Sequence, residues 1–282
     1  MRRTIVITGA SDGIGAAAAR RLHRDGHRVV VVGRDARKTE AVARELGTDH
    51  HVADYTRLDD VRRLAAELDS AHERIDVLAN NAGGVFGDPA RTADGFERTF
   101  QVNHLAPFLL TRLLLDKLLA SRASVIQTTT LHGGMVRTLD LDDLNHDRGL
   151  NAVRAYNAAK LENVLFTKEL HRRYHDQGLS AAAFYPGNVA TNFGSETTSR
   201  LMRFLATNPL SRAVLLTTPD NGARELVRLA TGAPGVDWRS GEYYAGGAPG
   251  KRLNKLALDA GLARGLWDRS EALLDGTGTV TR

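Results

Sequence analysis

The sequence predicts an α/β fold: one doubly wound parallel sheet of about seven strands with helices on both faces. Three observations predict it. Short apolar runs recur along the chain, and stretches of helical periodicity separate them. A glycine-spaced loop joins the first run to the first helix. An asparagine- and glycine-rich turn, Asn80 to Gly84, and a Pro-Gly turn, Pro186-Gly187, close later runs, at the strand ends where such sheets form their ligand crevice.

Thr4–Thr8 reads as a buried strand, followed at once by Gly9-Ala10-Ser11-Asp12-Gly13-Ile14-Gly15 and a helix over residues 16–22. Strand, glycine loop and helix in that order bring backbone N–H groups and a positive helix end to a phosphate. The spacing Gly9-x-x-x-Gly13-x-Gly15 differs from the G-x-G-x-x-G fingerprint, and a glycine loop by itself also serves as an ordinary turn. A second strand over 28–32 ends at Gly33-Arg34-Asp35. A carboxylate at that strand end would take the 2′-hydroxyl of NAD, whereas an arginine can pair with the 2′-phosphate of NADP. Gly33 holds the acidic position, Arg34 follows, and Lys38 lies four residues beyond it. NADP(H) is therefore favoured over NAD(H), and Asp35 is the competing carboxylate should the register shift by two.

The chain continues with a helix over 36–46, a short strand over 50–53 and an amphipathic helix over 58–72. Asp54 and Tyr55 close that third strand. A fourth strand over 75–79 runs into Asn80-Asn81-Ala82-Gly83-Gly84. Asn and Gly tolerate left-handed backbone and suit a sharp turn. Residues 96–119 read as one long helical stretch interrupted at Pro107, with Asn103 just before the break. The fifth strand, 124–129, ends in Thr128-Thr129-Thr130. Residues 131–153 are polar and carry Asp140, Asp142, Asp143 and Asp147, but lack the glycine and terminal glutamate of a calcium loop, so they read as a solvated insertion. A helix over 154–174 follows, then a sixth strand over 179–185 that ends at Pro186-Gly187-Asn188-Val189-Ala190-Thr191. Residues from about 192 to 210 read as a mobile substrate flap. A helix over 220–230, a last strand over 242–244 and a closing helix over 262–274 complete the chain. No repeat, linker or composition shift divides it, so one Rossmann-type domain over 1–282 is expected.

Composition excludes several function classes. There is no cysteine, which removes disulfides, thiolate metal sites and cysteine nucleophiles. No apolar run approaches 18 residues and no signal-peptide pattern opens the chain, so a cytoplasmic protein without a membrane span is expected. The net charge is +5, but the 38 basic residues are scattered among acids and form no run with interleaved aromatics, which argues against nucleic acid. His171 and His175 are i,i+4 on a helix, yet Arg172 stands where a zinc helix has glutamate, so no metal site is expected.

The stretch with the most chemistry is Tyr156-Asn157-Ala158-Ala159-Lys160. On a helix, residues four apart share a face. A free phenol has a pKa of about 10, and an ammonium within about 5 Å favours its phenolate. Tyr156 and Lys160 are therefore expected to form a tuned proton donor and acceptor, with Lys160 lowering the tyrosine pKa.

These residues together resemble the classical short-chain dehydrogenases/reductases over nearly the whole chain. Thr8-Gly9-Ala10-Ser11-Asp12-Gly13-Ile14-Gly15 is similar to the cofactor loop, Asn80-Asn81-Ala82-Gly83 to the turn after the fourth strand, and Pro186-Gly187 with Thr191 to the nicotinamide-side segment. Asn103, Tyr156 and Lys160 match three of four catalytic positions. Gln101-Val102-Asn103-His104-Leu105 and Leu161-Glu162-Asn163-Val164-Leu165-Phe166 are similar to the retinol-dehydrogenase and WW-domain-oxidoreductase branch. One departure stands out: the fourth catalytic position is usually serine, and Thr130 is its best match, with Thr129 the fallback. Threonine keeps the hydroxyl but is stiffer at χ1.

The resemblance implies reversible hydride transfer between NADP(H) and a carbonyl or alcohol substrate. Tyr156 would be the proton donor, Lys160 would also hold the ribose hydroxyls, Thr130 would hold the substrate oxygen and Asn103 a water. The expected cofactor contacts are Gly9, Ser11, Asp12, Gly13, Ile14, Gly15, Arg34, Lys38, Asp54, Tyr55, Asn81, Ala82, Gly83, Tyr156, Lys160, Pro186, Gly187, Val189 and Thr191. His132, Met135, Val136, Phe193, Met202 and Phe204 are candidate walls of a lipophilic pocket, or simply core. A homodimer or homotetramer is compatible with this reading. Two alternatives remain open on sequence alone: a silent NADP(H)-binding sensor or scaffold, and a non-redox dehydratase or isomerase using the same site.

Overall fold

The structure is a computed structural model. The structure describes residues 2–86, 90–130, 136–148, 152–187, 217–250 and 253–276. The substrate flap expected at about 192–210 lies outside them, as do Val189, Thr191, His132, Met135, Phe193, Met202 and Phe204.

The strands are β1 (Thr4–Thr8), β2 (Arg28–Gly33), β3 (Asp49–Val52), β4 (Val77–Asn80), β5 (Ser124–Thr128), β6 (Ser180–Tyr185), β7 (Glu242–Ala245) and β8 (Ala248–Pro249). They form one sheet in the order β3-β2-β1-β4-β5-β6-β7-β8. All neighbouring pairs are parallel except β7 with β8. The eighth strand is a two-residue antiparallel edge that the sequence reading of about seven strands does not contain. Its length is below what any apolar periodicity can register.

Valine and isoleucine on β1 and β2 are buried on both faces, as a parallel sheet covered on both sides requires. Helices α1 (Gly13–Arg24), α2 (Ala36–Leu46) and α8 (Pro219–Thr231) pack one face. Their apolar stripes join Ile5, Ile7, Val29 and Val31 in one core cluster. Helices α3 (Leu58–Ala71), α5 (Ala106–Leu113), α7 (Ala152–Tyr174) and α9 (Ala260–Leu274) cover the other face. That second cluster centres on Phe100, Phe108, Phe166 and Trp267. From β1 the chain steps outward to β2 and β3, then returns to β4 on the other side of β1. This reversal opens a crevice at the carboxyl ends of β1 and β4.

The long helical stretch breaks differently from the sequence expectation. It begins with the short turn α4 (Arg98–Phe100), capped by the Glu97 carboxylate, which accepts from the N–H groups of Thr99 and Phe100. A π turn follows over Gln101–Leu105, with the Ala106 N–H donating to the Gln101 carbonyl. Pro107 then sits in the first turn of α5 rather than at the end of a helix. Proline has no N–H to close an i→i−4 bond onto Asn103, and the wider π turn absorbs this before α5 starts. A second break at Leu114 separates α5 from α6 (Leu115–Ala120).

The insertion before α7 is also better packed than a solvated loop. Leu144 and Asn145 are buried, Asp140 accepts from the Asp142 N–H, and Asn145 Oδ1 accepts from the Glu97 N–H. Among the described residues no cluster of His, Asp or Glu could hold a metal, and no helix is long and apolar enough to cross a membrane.

Candidate active site

The crevice is stitched by side chains from three strand ends. The Thr8 hydroxyl accepts from the N–H groups of Asn81 and Ala82, each at 3.0 Å. The Asn81 amide donates to the Thr8 carbonyl at 3.0 Å, and its Oδ1 accepts from the Thr128 hydroxyl at 3.2 Å. Asn81 thus ties β1, β4 and β5 together and fixes the turn that carries Gly83.

The glycine loop fits a ligand that needs bare backbone. Gly9 and Gly13 have φ of +67° and +54°, values that favour glycine. A Cβ on Gly9 would lie 2.8 Å from Ala82 Cα, and one on Gly15 would strike the Gly9 carbonyl. Asp12 caps α1, its carboxylate accepting from the Gly13 N–H at 2.8 Å, so the amino end of this 12-residue helix faces the crevice.

At the end of β2, a Cβ on Gly33 would collide with the Thr39 hydroxyl and lie 2.8 Å from Ser11 Cβ. No carboxylate can stand at position 33 without moving both neighbours. Asp35 is committed elsewhere: it caps α2 by accepting from the Lys38 N–H at 3.0 Å. Arg34 is exposed, and the Lys38 ammonium is 3.1 Å from the Asp12 carboxylate. Asp54 is half-buried, with one carboxylate oxygen accepting from the Thr56 N–H at 2.9 Å. Tyr55 is buried and its ring belongs to the core cluster on the α3 side.

The catalytic candidates converge around Gly83. A Cβ there would lie 2.5 Å from Asn103 Oδ1 and 3.2 Å from the Lys160 ammonium nitrogen. The Lys160 side chain is buried and its Nζ donates to the Thr128 carbonyl at 3.2 Å. The same nitrogen lies 5.6 Å from the centre of the Tyr156 ring, so the two residues share one side of α7. The Asn103 amide is occupied by protein: Nδ2 donates to the carbonyls of Gly84 and Thr99, and Oδ1 accepts from the Gly84 N–H. Its side chain braces the turn, and a water-holding role would fall to its backbone.

Electrostatics depart from the sequence expectation. Burial pushes the Tyr156 hydroxyl above its ordinary range, and Tyr185 adds to the effect. Burial also pushes the Lys160 ammonium down to about 8. In the ligand-free protein, the cost of burying a phenolate outweighs the help of a neighbouring cation that is itself costly to bury. Tyr156 is thus held as a neutral phenol.

The three threonines at the carboxyl end of β5 take different jobs. The Thr129 hydroxyl is buried and donates to the Lys160 carbonyl at 2.6 Å, locking α7 to the strand end. Thr128 serves Asn81. Thr130 is half-buried one residue further out. Pro186 and Gly187 (φ +87°) follow β6 at the same end of the sheet. Val136 belongs to the core cluster. His171 and His175 are spoken for, His171 Nδ1 pairing with Ser240 Oγ at 2.9 Å and His175 Nδ1 with the Leu179 carbonyl at 3.1 Å. Nearby, Arg172 and Arg173 clamp the buried Glu169, so this helix end is not simply a solvated surface.

Tyr185 is the last residue of β6 and packs on the α7 side of the sheet.

Comparison with known proteins agrees with this geometry. A family model described as short chain dehydrogenase matches residues 3–201. A protein of Streptomyces sp. (strain C5), named as a daunorubicin C-13 ketoreductase, is 41% identical over 98% of this chain and 93% of its own. Human retinol dehydrogenase 13 is 38% identical over 96% of this chain and 84% of its own. A crystal structure of an uncharacterized protein from Mycobacterium paratuberculosis superposes with a TM-score of 0.77 at 33% identity, covering 99% of this chain and 95% of that one. Sheet order, crevice and relatives agree: the chain belongs to the short chain dehydrogenase family, on its retinol-dehydrogenase-like branch, and is an NAD(P)-dependent oxidoreductase.

Proposed function

We propose that the protein interconverts a ketone or aldehyde and its alcohol with NADP(H), and that Tyr156 carries the proton. The observation that carries this is the convergence of a buried ammonium, Lys160, with Gly83, Asn103 and the Tyr156 ring beside the crevice. A lysine is almost never fully buried without a task. When bound, the nicotinamide supplies or takes up the hydride. In reduction the Tyr156 O–H bond breaks as the new O–H bond on the substrate oxygen forms, and the phenolate left behind is stabilised by Lys160 and reprotonated from solvent. Thr130 donates a hydrogen bond to the same substrate oxygen. Lys160 also holds the ribose hydroxyls.

Gly9, Ser11, Asp12, Gly13, Ile14 and Gly15 would hold the pyrophosphate and adenosine side, with Asp54, Asn81, Ala82, Gly83, Pro186, Gly187, Val189 and Thr191 completing the site. The crowding at Gly33 and the capping duty of Asp35 both support NADP(H), since they remove the carboxylate that NAD would need. Arg34 and Lys38 would take the 2′-phosphate. Relatives named as a ketoreductase and a retinol dehydrogenase support a bulky, lipophilic carbonyl or alcohol substrate. One domain over residues 1–282 would perform the whole reaction.

The test is a panel of aromatic and polyene ketones, aldehydes and alcohols, each assayed with NADPH or NADP and with the NAD forms. Turnover of lipophilic carbonyls, at least about tenfold better in kcat/KM with NADPH, is expected, as one charge-assisted pair at the 2′-phosphate is worth about 1.5–3 kcal/mol. Equal or better use of NADH would refute the cofactor assignment.

A further inference from the structure

The loop that joins β3 to α3 is held in place from another part of the chain. The Ala53 N–H donates to the Gly33 carbonyl at 3.1 Å, so residues 54–58 leave the sheet beside the end of β2, where a dinucleotide places its adenosine ribose. Helix α3 then starts without a cap of its own. Arg57 occupies the N-cap position and has no acceptor to offer the first N–H groups. Asp94, 36 residues on, supplies the acceptor: its carboxylate takes the Leu58 N–H at 2.9 Å.

Asp94 is itself held by Gln101, the first residue of the π turn. The Gln101 side chain is fully buried, and both ends of its amide are bonded. Nε2 donates to the same Asp94 oxygen at 2.8 Å and to the Tyr55 carbonyl at 3.0 Å, while Oε1 accepts from the Thr92 hydroxyl. Two acceptors at one end and a hydroxyl at the other fix which way the amide lies. One buried amide thus ties two points of the loop, Tyr55 and Leu58, to the segment that leads into the π turn.

We propose that Gln101 is a positioning residue for the adenosine half of the cofactor, holding loop 54–58 in the shape that half needs. The proposal rests on the reading of the crevice as a dinucleotide site with Asp54 on the adenosine side. The loop's own bonds make its turn: Asp54 Oδ1 accepts from the Thr56 N–H at 2.9 Å and the Asp54 carbonyl from the Arg57 N–H at 3.0 Å. The Gln101–Asp94 pair seats that turn against a separate element. Without the pair the turn persists but its place is no longer fixed, and cofactor binding must restore that order, which weakens affinity. The nicotinamide side is spared, because Asn103 holds Gly84 through its own bonds and Lys160 donates to the Thr128 carbonyl.

The test uses the full chain. Isothermal titration with 2′,5′-ADP and ADP, the adenosine halves with and without a 2′-phosphate, is run beside NADPH kinetics and a thermal melt. Gln101→Met keeps the length of the side chain and removes the amide. Asp94→Ala breaks the same link at an exposed position, where the fold tolerates the change. Each variant is expected to raise the Kd of the adenosine probe and the KM for NADPH by about three- to tenfold, the worth of about one hydrogen bond, with kcat within about twofold of wild type. The double variant is expected to lose less than the product of the two single effects, since both act through one loop. A lowered Tm with wild-type probe affinity in Asp94→Ala would mean a merely structural link and overturn the proposal. A fall in kcat with KM unchanged would overturn it as well. Failure of the parent reading looks different: the wild-type chain itself would bind neither adenosine probe, and this proposal would fall with it.

Discussion

Replacing Lys160 by methionine should make the ligand-free protein more stable while abolishing turnover. The ammonium is buried and its pKa is pushed from 10.5 down to about 8. A shift of that size corresponds to about 3 kcal/mol of burial cost at pH 7, where the unfolded chain holds the proton far more tightly. Methionine has nearly the same shape and removes that cost. It also leaves the Thr128 carbonyl without its donor, a loss of about 1 kcal/mol. The net gain is about 2 kcal/mol, or a rise in Tm of about 5 °C. The sign of the pH dependence is fixed as well. The folded-state pKa of this base is depressed, so the folded protein binds fewer protons than the unfolded chain between pH 8 and 10.5. The wild-type protein therefore regains stability across that window, and the variant does not. Urea unfolding followed by the fluorescence of Trp238 and Trp267 at pH 7 and pH 10 reads both effects. A variant less stable than wild type at pH 7, or a stability gap that does not narrow as pH rises, would refute this reasoning.

Other expectations follow from the same geometry. Thr130→Ala should lower kcat by about 10- to 100-fold, the size expected for one hydrogen bond to a developing oxyanion, with little change in Tm. Thr129→Ala should instead cost about 0.5–1.5 kcal/mol of stability by removing the hydroxyl that ties the Lys160 carbonyl of α7 to the strand end, and a larger loss of kcat in Thr129→Ala than in Thr130→Ala would reverse the two assignments. Gly33→Asp, the obvious substitution for gaining NAD use, should destabilise the protein by about 1–3 kcal/mol without improving kcat/KM for NADH, because Thr39 and Ser11 fill the space its Cβ needs. Kinetics with both cofactors and a thermal melt check that pair of outcomes.

Much of the fold is legible in the sequence because each strand is a short apolar run bounded by glycine, asparagine or proline. β1 and α2 fall at the bounds that pattern predicts, and most other ends lie within two or three residues. The glycine loop reads correctly as a turn into a helix because its residues have few other uses. What stays hidden depends on distant contacts. The π turn at Gln101–Leu105 leaves no periodic trace, since a single wide turn inside a helix barely shifts the pattern. Asp12 reads in the sequence as a cofactor contact and Asp35 as a competing ribose carboxylate, and neither reading contains the helix caps both provide. The i,i+4 spacing places Tyr156 and Lys160 on one face, but cannot show how dry that face is. Dryness reverses the expected effect on the phenol.

The account stands on Tyr156 as the proton carrier. The most direct measurement is kcat for NADPH-linked reduction of the best carbonyl substrate by Tyr156→Phe, made beside a fluorescence titration showing that NADPH still binds. A fall of about 10²- to 10⁴-fold with cofactor binding retained is the expected result, the usual worth of a positioned acid. A variant that binds NADPH and keeps more than about a tenth of wild-type turnover would contradict it.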